Sequence, residues 1–284
     1  MIHTTRLLLF LTLPLVFISY SNWTLNKTVQ LYEEGKYYEA ETKCYKLLSR
    51  DKQDWRYNLL MGLIKENNEK GYGGNSYRYF VNCFSKNPER TTYKISHFTI
   101  SYSEALYYCL QDIADYGKYK SDSQKQLPYG IGDGRTEKEQ VDYLASLVKP
   151  VRQDPVYADV FAQYICVFYQ WAKEYQEAEK WCDYLITLNH KKGLFQKARL
   201  YHRAGRTTKA KEAYLDYLAF YPDDARVMWL LSTLYAPYEY DSELNNLYYN
   251  KASGGQYSLS LKRRSAQLGY KLAIEWCKRY GIDY

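Results

Sequence analysis

The residues of this chain that could carry chemistry are its four histidines, six cysteines and two glycine-rich stretches. Metal coordination needs His, Cys or carboxylates at ligand spacing. His3, His97, His190 and His202 show none, and Cys44, Cys83, Cys109, Cys166, Cys182 and Cys277 form neither a CxxC pair nor a cluster. Phosphate binding needs clustered glycines between an apolar strand and a helix, closed by Lys and Ser or Thr. The stretches GYGGN from Gly71 and YGIGDGR from Tyr129 lack that strand and that ending, and read as connecting turns. No Ser or Cys nucleophile sits in an elbow with a base in pattern. No metal, no cofactor and no reaction is assigned, and the chain reads as non-catalytic.

What remains is binding. The 39 basic and 32 acidic residues are spread along 284 residues, for a net charge of +7. A nucleic-acid partner would call for a basic stripe and a reading module, and neither is present. Tyr supplies 35 residues and lifts the aromatic share to 18%. A phenol offers an apolar body and a polar tip, so it can fill a helix seam or stack on a ligand. A protein or peptide segment is the expected partner, with a glycan held by Tyr and Trp faces as the alternative.

The cellular address is written early. Arg6 precedes an apolar run from Leu7 to Ile18 and the small-x-small triplet Ser19, Tyr20, Ser21. That layout is a secretory signal over 1–21, too short to span a bilayer and interrupted by Pro14. An uncleaved anchor over 7–23 is the alternative, and the only membrane contact expected. The chain is therefore placed as exported, periplasmic or secreted. Its cysteines are each set in a helical apolar pattern, which favours buried free thiols. A bridge between Cys166 and Cys182 stays open.

One phrase recurs three times: GKYYEAETKCYKLL from Gly35, KEYQEAEKWCDYLI from Lys173 and GRTTKAKEAYLDYLAFYP from Gly205. In each, a turn residue is followed five places later by Ala40, Ala178 or Ala210, and four places on by Cys44, Cys182 or Tyr214. A helix that ends in a tight turn and returns antiparallel needs a small residue where the two cross. Gly35 and Gly205 suit the left-handed turn. Tyr169 and Tyr201 lie nine residues before the Ala of the second and third copies, and Pro222 lies twelve after Ala210.

This phrase resembles the tetratricopeptide repeat, whose period is about 34 residues. The resemblance implies an all-α fold, a right-handed α-α superhelix of about 12–14 helices. Residues 159–190 and 191–224 fit best, with Cys166 and Ala198 at the small position of the first helix. Residues 21–54 fit less fully. A fourth copy over 57–90 has Ser76 in the Ala slot, Phe80, Pro88, and Ile64 where a small residue belongs. The expected organisation is repeats over 22–90, an irregular helical middle over 91–158, the best repeats over 159–224, and a degenerate repeat with a capping helix over 225–284. In the middle, 91–116 reads as helix and 117–135 as a long exposed polar loop. Thr136 with Glu139 caps a new helix, and Asp154 with Pro155 opens another. The last helix is expected from about Ser258 to Tyr280, ending at Gly281.

In such arrays the first helix of each pair lines the concave side. The residues that the resemblance places there are Gln163, Gln170, Trp171, Lys192, Phe195, Arg199, His202, Arg203, Arg226 and Trp229. The set is basic and aromatic, suited to an acidic or aromatic peptide.

Overall fold

The computed structural model describes residues 22–68, 75–87, 91–118, 127–128, 131, 135–235 and 253–284. The signal segment, both glycine-rich stretches apart from Asn75, Ile131 and Arg135, and Pro88 and Pro237 lie outside them. The chain forms two compact units, Met1–Ala172 and Lys173–Tyr284. The boundary falls inside the copy expected at 159–190.

Unit 1 begins with helix α1 over 22–33, α2 (Tyr37–Leu48), α3 (Trp55–Asn68) and α4 (Ser76–Lys86). After them come strands β1 (Thr92–Ile95) and β2 (Phe98–Ser101), then α5 (Tyr102–Lys118), α6 (Glu137–Val148) and α7 (Ala158–Trp171). Unit 2 contains α8 (Tyr175–Leu188), α9 (His190–Arg203), α10 (Thr207–Phe220) and α11 (Ala225–Tyr235). It closes with α12 (Ser253–Gln267) and α13 (Lys271–Arg279).

The turns follow from backbone geometry. Gly35 and Gly205 take φ of +73° and +69°. In both, the next amide reaches back five residues, Lys36 N–H to the Leu31 carbonyl and Arg206 N–H to the Tyr201 carbonyl, each at 2.9 Å. This closes the helix end that would otherwise leave carbonyls unmatched. Lys173 adopts the same left-handed conformation, φ +60°, without glycine's freedom. Ala40, Ala178 and Ala210 are fully buried, as are Cys44, Cys182 and Tyr214 beside them.

The fourth copy solves its crossing differently from the expected register. Ile64 is buried, but the small residue facing α4 is Gly62, where a Cβ would lie 3.0 Å from the Phe80 ring. Every residue of α3 from Tyr57 to Ile64 is buried. A helix covered on all sides needs neighbours on all sides, so it has no polar stripe to show in sequence.

Three expectations for the rest of the chain need correction. Residues 92–101 are a hairpin rather than helix, with Tyr93 paired to Ile100 and Ile95 to Phe98. The segment TYKISHFTIS alternates apolar and polar residues around a two-residue turn, and Ser96 takes the positive φ of +59° that such turns require. Tyr93, Ile95 and Ile100 point inward. Second, Leu127, Pro128 and Ile131, expected in an exposed loop, are buried. Third, the terminal helix is two helices, broken where Gly269 takes φ +85°.

The Thr136 start matches its local signal, whereas α7 begins at Ala158, after a turn that Asp154 and Pro155 open. Thr136 and Glu139 form a reciprocal capping box on α6. Asp154 Oδ1 accepts the amides of Val156 and Tyr157, and its Oδ2 accepts the Ser103 hydroxyl at 2.6 Å. Asp112 of α5 reaches the start of α4, accepting from the Ser76 hydroxyl and the Tyr77 amide. Cys44, Cys83, Cys109 and Cys277 are buried free thiols. Cys166 and Cys182 are disulfide-bonded, so the free-thiol reading holds for the other four.

Candidate functional site

Helix α9 positions most of the basic residues. Asn189 caps it by accepting the Lys192 amide, and Gly193 lets it lie close against α8, where a Cβ would stand 2.4 Å from the Ile186 backbone nitrogen. Beyond this contact, Phe195, Arg199, His202 and Arg203 follow at helical spacing and are half-buried. Buried Ala198, Tyr214, Tyr217, Val227 and Leu231 form the floor that holds α9, α10 and α11 together.

Two cations approach the Phe195 ring. The Arg226 guanidinium stands 5.1 Å from its ring centroid and that of Arg199 5.7 Å. Arg226 is exposed and has no ion pair among the described residues. Tyr214 stands at the centre of the group. Its ring meets His202 edge-on at 5.9 Å, and its hydroxyl is 3.2 Å from His202 Nδ1, with the donor set by the imidazole tautomer. Burial pushes the Tyr214 phenol up to about 12, while the charges of Arg199, Arg203 and Arg226 pull the other way. Three guanidiniums therefore act on one phenol. This arrangement can hold an anion, because planar guanidiniums match carboxylates bidentately.

The remaining expected residues do not join this group. Trp229 packs against Tyr270 at 6.3 Å and Trp276 at 6.5 Å, beneath the terminal helix pair. There Lys262, fully buried, lies 4.1 Å from the Trp276 centroid, and burial lowers its pKa to about 8. Lys192 is exposed. In unit 1, Gln163 is half-buried, but Gln170 and Trp171 belong to the interior rather than a binding face. The Gln170 amide lies 3.3 Å from Cys166 Sγ, and the Trp171 ring fills the space over Gly117. Their apolar neighbours explain this: α7 is apolar around most of its circumference, so little of it is left for solvent.

Tyr214 was expected only as a packing residue. The available signal was its type, since the other two copies carry Cys at that place. The described histidines are scattered: His97 pairs with Glu33 at 2.7 Å, His190 meets Phe220 and Tyr221, and His202 meets Tyr214.

The paired helices, left-handed turns and buried crossing alanines define a tetratricopeptide-like helix-pair protein. No family model and no curated protein matches the sequence. Solved structures similar to it include a tetratricopeptide repeat protein of Thermus thermophilus, at 17% identity over 75% of this chain and 98% of that one, TM-score 0.40. Another, from Parabacteroides merdae, has 11% identity over 92% and 98%, TM-score 0.46. PilW, a type IV pilus biogenesis factor, has 13% identity over 91% and 98%, TM-score 0.44. These likenesses are loose, and the fold assignment stands on this chain's own helix pairs.

Proposed function

We propose that this chain is a non-catalytic binding scaffold of the cell envelope, and that unit 2 holds an acidic segment of a partner protein against Phe195, Arg199, Arg203 and Arg226. The observation that carries this reading is the approach of two guanidiniums, those of Arg226 and Arg199, to within 5.1 and 5.7 Å of the Phe195 ring centroid, with Arg203 one turn further along α9. An incoming carboxylate can accept two parallel hydrogen bonds from one planar guanidinium, and a basic face attracts it. The attraction of the Phe195 ring for both guanidiniums favours conformers that keep them at this face, which reduces the ordering cost of binding.

Titration with an N-acetylated tetra-glutamate amide tests the reading. Binding is expected to weaken as salt rises, and to fall by about ten-fold or more in the double variant Arg199→Glu, Arg203→Glu. Unchanged binding in that variant, with its helical content intact, would sink the reading.

Two observations support the envelope address. One is the apolar run from Leu7 to Ile18 behind Arg6. The other is the disulfide-bonded state of Cys166 and Cys182, because such bonds persist in oxidising compartments. Among the described residues no helix is long and apolar enough to cross a membrane. Thiol titration of the denatured, unreduced protein should find the four free cysteines. Six reactive thiols in protein taken from the envelope would remove that support.

A further inference from the structure

Unit 1 carries a second aromatic cluster, and its charge is negative. Glu104 lies in the first turn of α5, half-buried, with Tyr107 and Tyr108 one turn further on. Tyr108 donates its hydroxyl to Glu104 Oε1 at 3.3 Å. Tyr157, just before α7, places its ring 5.3 Å from that of Tyr107, which lies 5.7 Å from Tyr108. The phenol of Tyr32 in α1 also lies within the field of Glu104. Burial and then the Glu104 charge raise Tyr108 to about 12 and also raise Tyr157. Tyr32 is raised to about 12 by burial first, with Glu104 adding to it. One carboxylate thus acts on phenols from three separate segments.

Elsewhere in the chain, aromatic rings of this kind hold a cation. Lys211 lies 4.1 Å from the Tyr235 centroid and Arg135 4.6 Å from that of Tyr143. Among the described residues, none of the four tyrosines around Glu104 has a cation over its ring, and Glu104 has no ion pair. We propose that Glu104 with Tyr32, Tyr107, Tyr108 and Tyr157 forms a cage for the guanidinium or ammonium of an Arg- or Lys-bearing segment of a partner protein. Ring faces are negative, so they add to the carboxylate's attraction for a cation. The rings are tilted against one another, by 33° for Tyr107 and Tyr157 and 58° for Tyr107 and Tyr108. Tilted rings of this kind offer no single flat face for a sugar ring to stack on, whereas the Glu104 carboxylate beside them favours a cation. The cage lies in unit 1 and shares no residue with the basic face of unit 2.

The test uses the full chain and an N-acetylated tetra-arginine amide, followed by calorimetry at low salt, with a neutral chitohexaose as the second probe. The peptide is expected to bind, and Glu104→Gln to weaken it by about ten-fold. Tyr157→Ala should weaken it as well, whereas Tyr157→Phe keeps the ring and should bind as the parent does. Arg199→Glu with Arg203→Glu should leave this binding undiminished. The proposal is overturned if Glu104→Gln binds the peptide as tightly as the parent. It is also overturned if the peptide fails to bind, or if chitohexaose binds and is lost in Tyr157→Ala.

Discussion

Tyr108 in unit 1 and Tyr214 in unit 2 carry the same phenol in opposite surroundings. Both are pushed up to about 12. At Tyr108, burial and Glu104 act in the same direction. At Tyr214, burial is opposed by Arg199, Arg203 and Arg226. The comparison separates two jobs that a tyrosine-rich sequence merges. The rings supply the packed frame in both units, and the few charges set around them decide what each face attracts.

The largest test of that frame compares two glycines. In unit 2, Gly193→Ala drives a Cβ to 2.4 Å from the Ile186 backbone, which cannot swing aside. A loss of about 2–3 kcal/mol is expected in chemical denaturation, with binding by the α9 face lost along with it. In unit 1, Gly62→Ala meets the Phe80 ring at 3.0 Å, and a loss of about 1 kcal/mol is expected. Equal losses would show that the two crossings are packed alike.

Next in size is the phenol oxygen. Tyr214→Phe removes the hydroxyl of a fully buried ring and its contact with half-buried His202, at a cost of about 1 kcal/mol. Tyr108→Phe loses only a half-buried contact to Glu104, and about 0.3 kcal/mol is expected. A smaller gain should come from the turn that opens unit 2. Lys173→Gly relieves a left-handed residue, and a stabilisation of about 0.5 kcal/mol should appear as a raised denaturation midpoint. Gly205→Ala at the equivalent turn should shift it the other way.

The remaining effects concern pH: stability rises with pH in both units, but in different windows. Burial would raise Asp142 and Asp154 in unit 1, but hydrogen bonds outweigh it, from Lys138 and Tyr169 to the first and from Ser103 and the Val156 and Tyr157 amides to the second. Their folded-state values lie below the ordinary 3.8, so the stability they add is present above that value and lost as pH falls through the folded one. In unit 2, Lys262 is lowered from 10.5 to about 8 by burial. Between those two values the unfolded chain binds the extra proton, so unit 2 should gain stability as pH rises from about 8 to 10. Melting curves of the parent, Asp154→Asn and Lys262→Met across pH 3 to 10 check both slopes, and flat curves for the parent would contradict them.

The parts of the fold that were legible from sequence share one property: they are fixed by neighbours within a few residues. Gly35, Gly205, the three crossing alanines and the Thr136 capping box all belong to that class. The hairpin at 92–101 was legible in principle, through its alternation, yet a helical reading of the run that follows hid it. Helix α3 gave no amphipathic signal because it is buried all round, and so Gly62 went unseen. The basic residues of the α9 face were visible by spacing, but Tyr214 at their centre looked like packing. Trp229, Gln170 and Trp171 were misplaced because aromatic and amide side chains do not declare in sequence which side of a helix is covered. The cage at Glu104 joins residues 32, 104 and 157, which no local pattern relates.

The hairpin has a consequence for how unit 1 comes apart. Arrays of helix pairs ordinarily touch only their immediate neighbours, so they can fray from an end one repeat at a time. Here His97 pairs with Glu33 across 64 positions of sequence, Phe98 meets Tyr32 edge-on at 5.6 Å, and Tyr93 packs on Trp55 at 5.5 Å. The insertion thereby fastens the first repeat to the segment that follows the second. Opening α1 must release the hairpin as well, so amides of α1 and of the β1–β2 ladder should exchange hydrogen together, at a common rate.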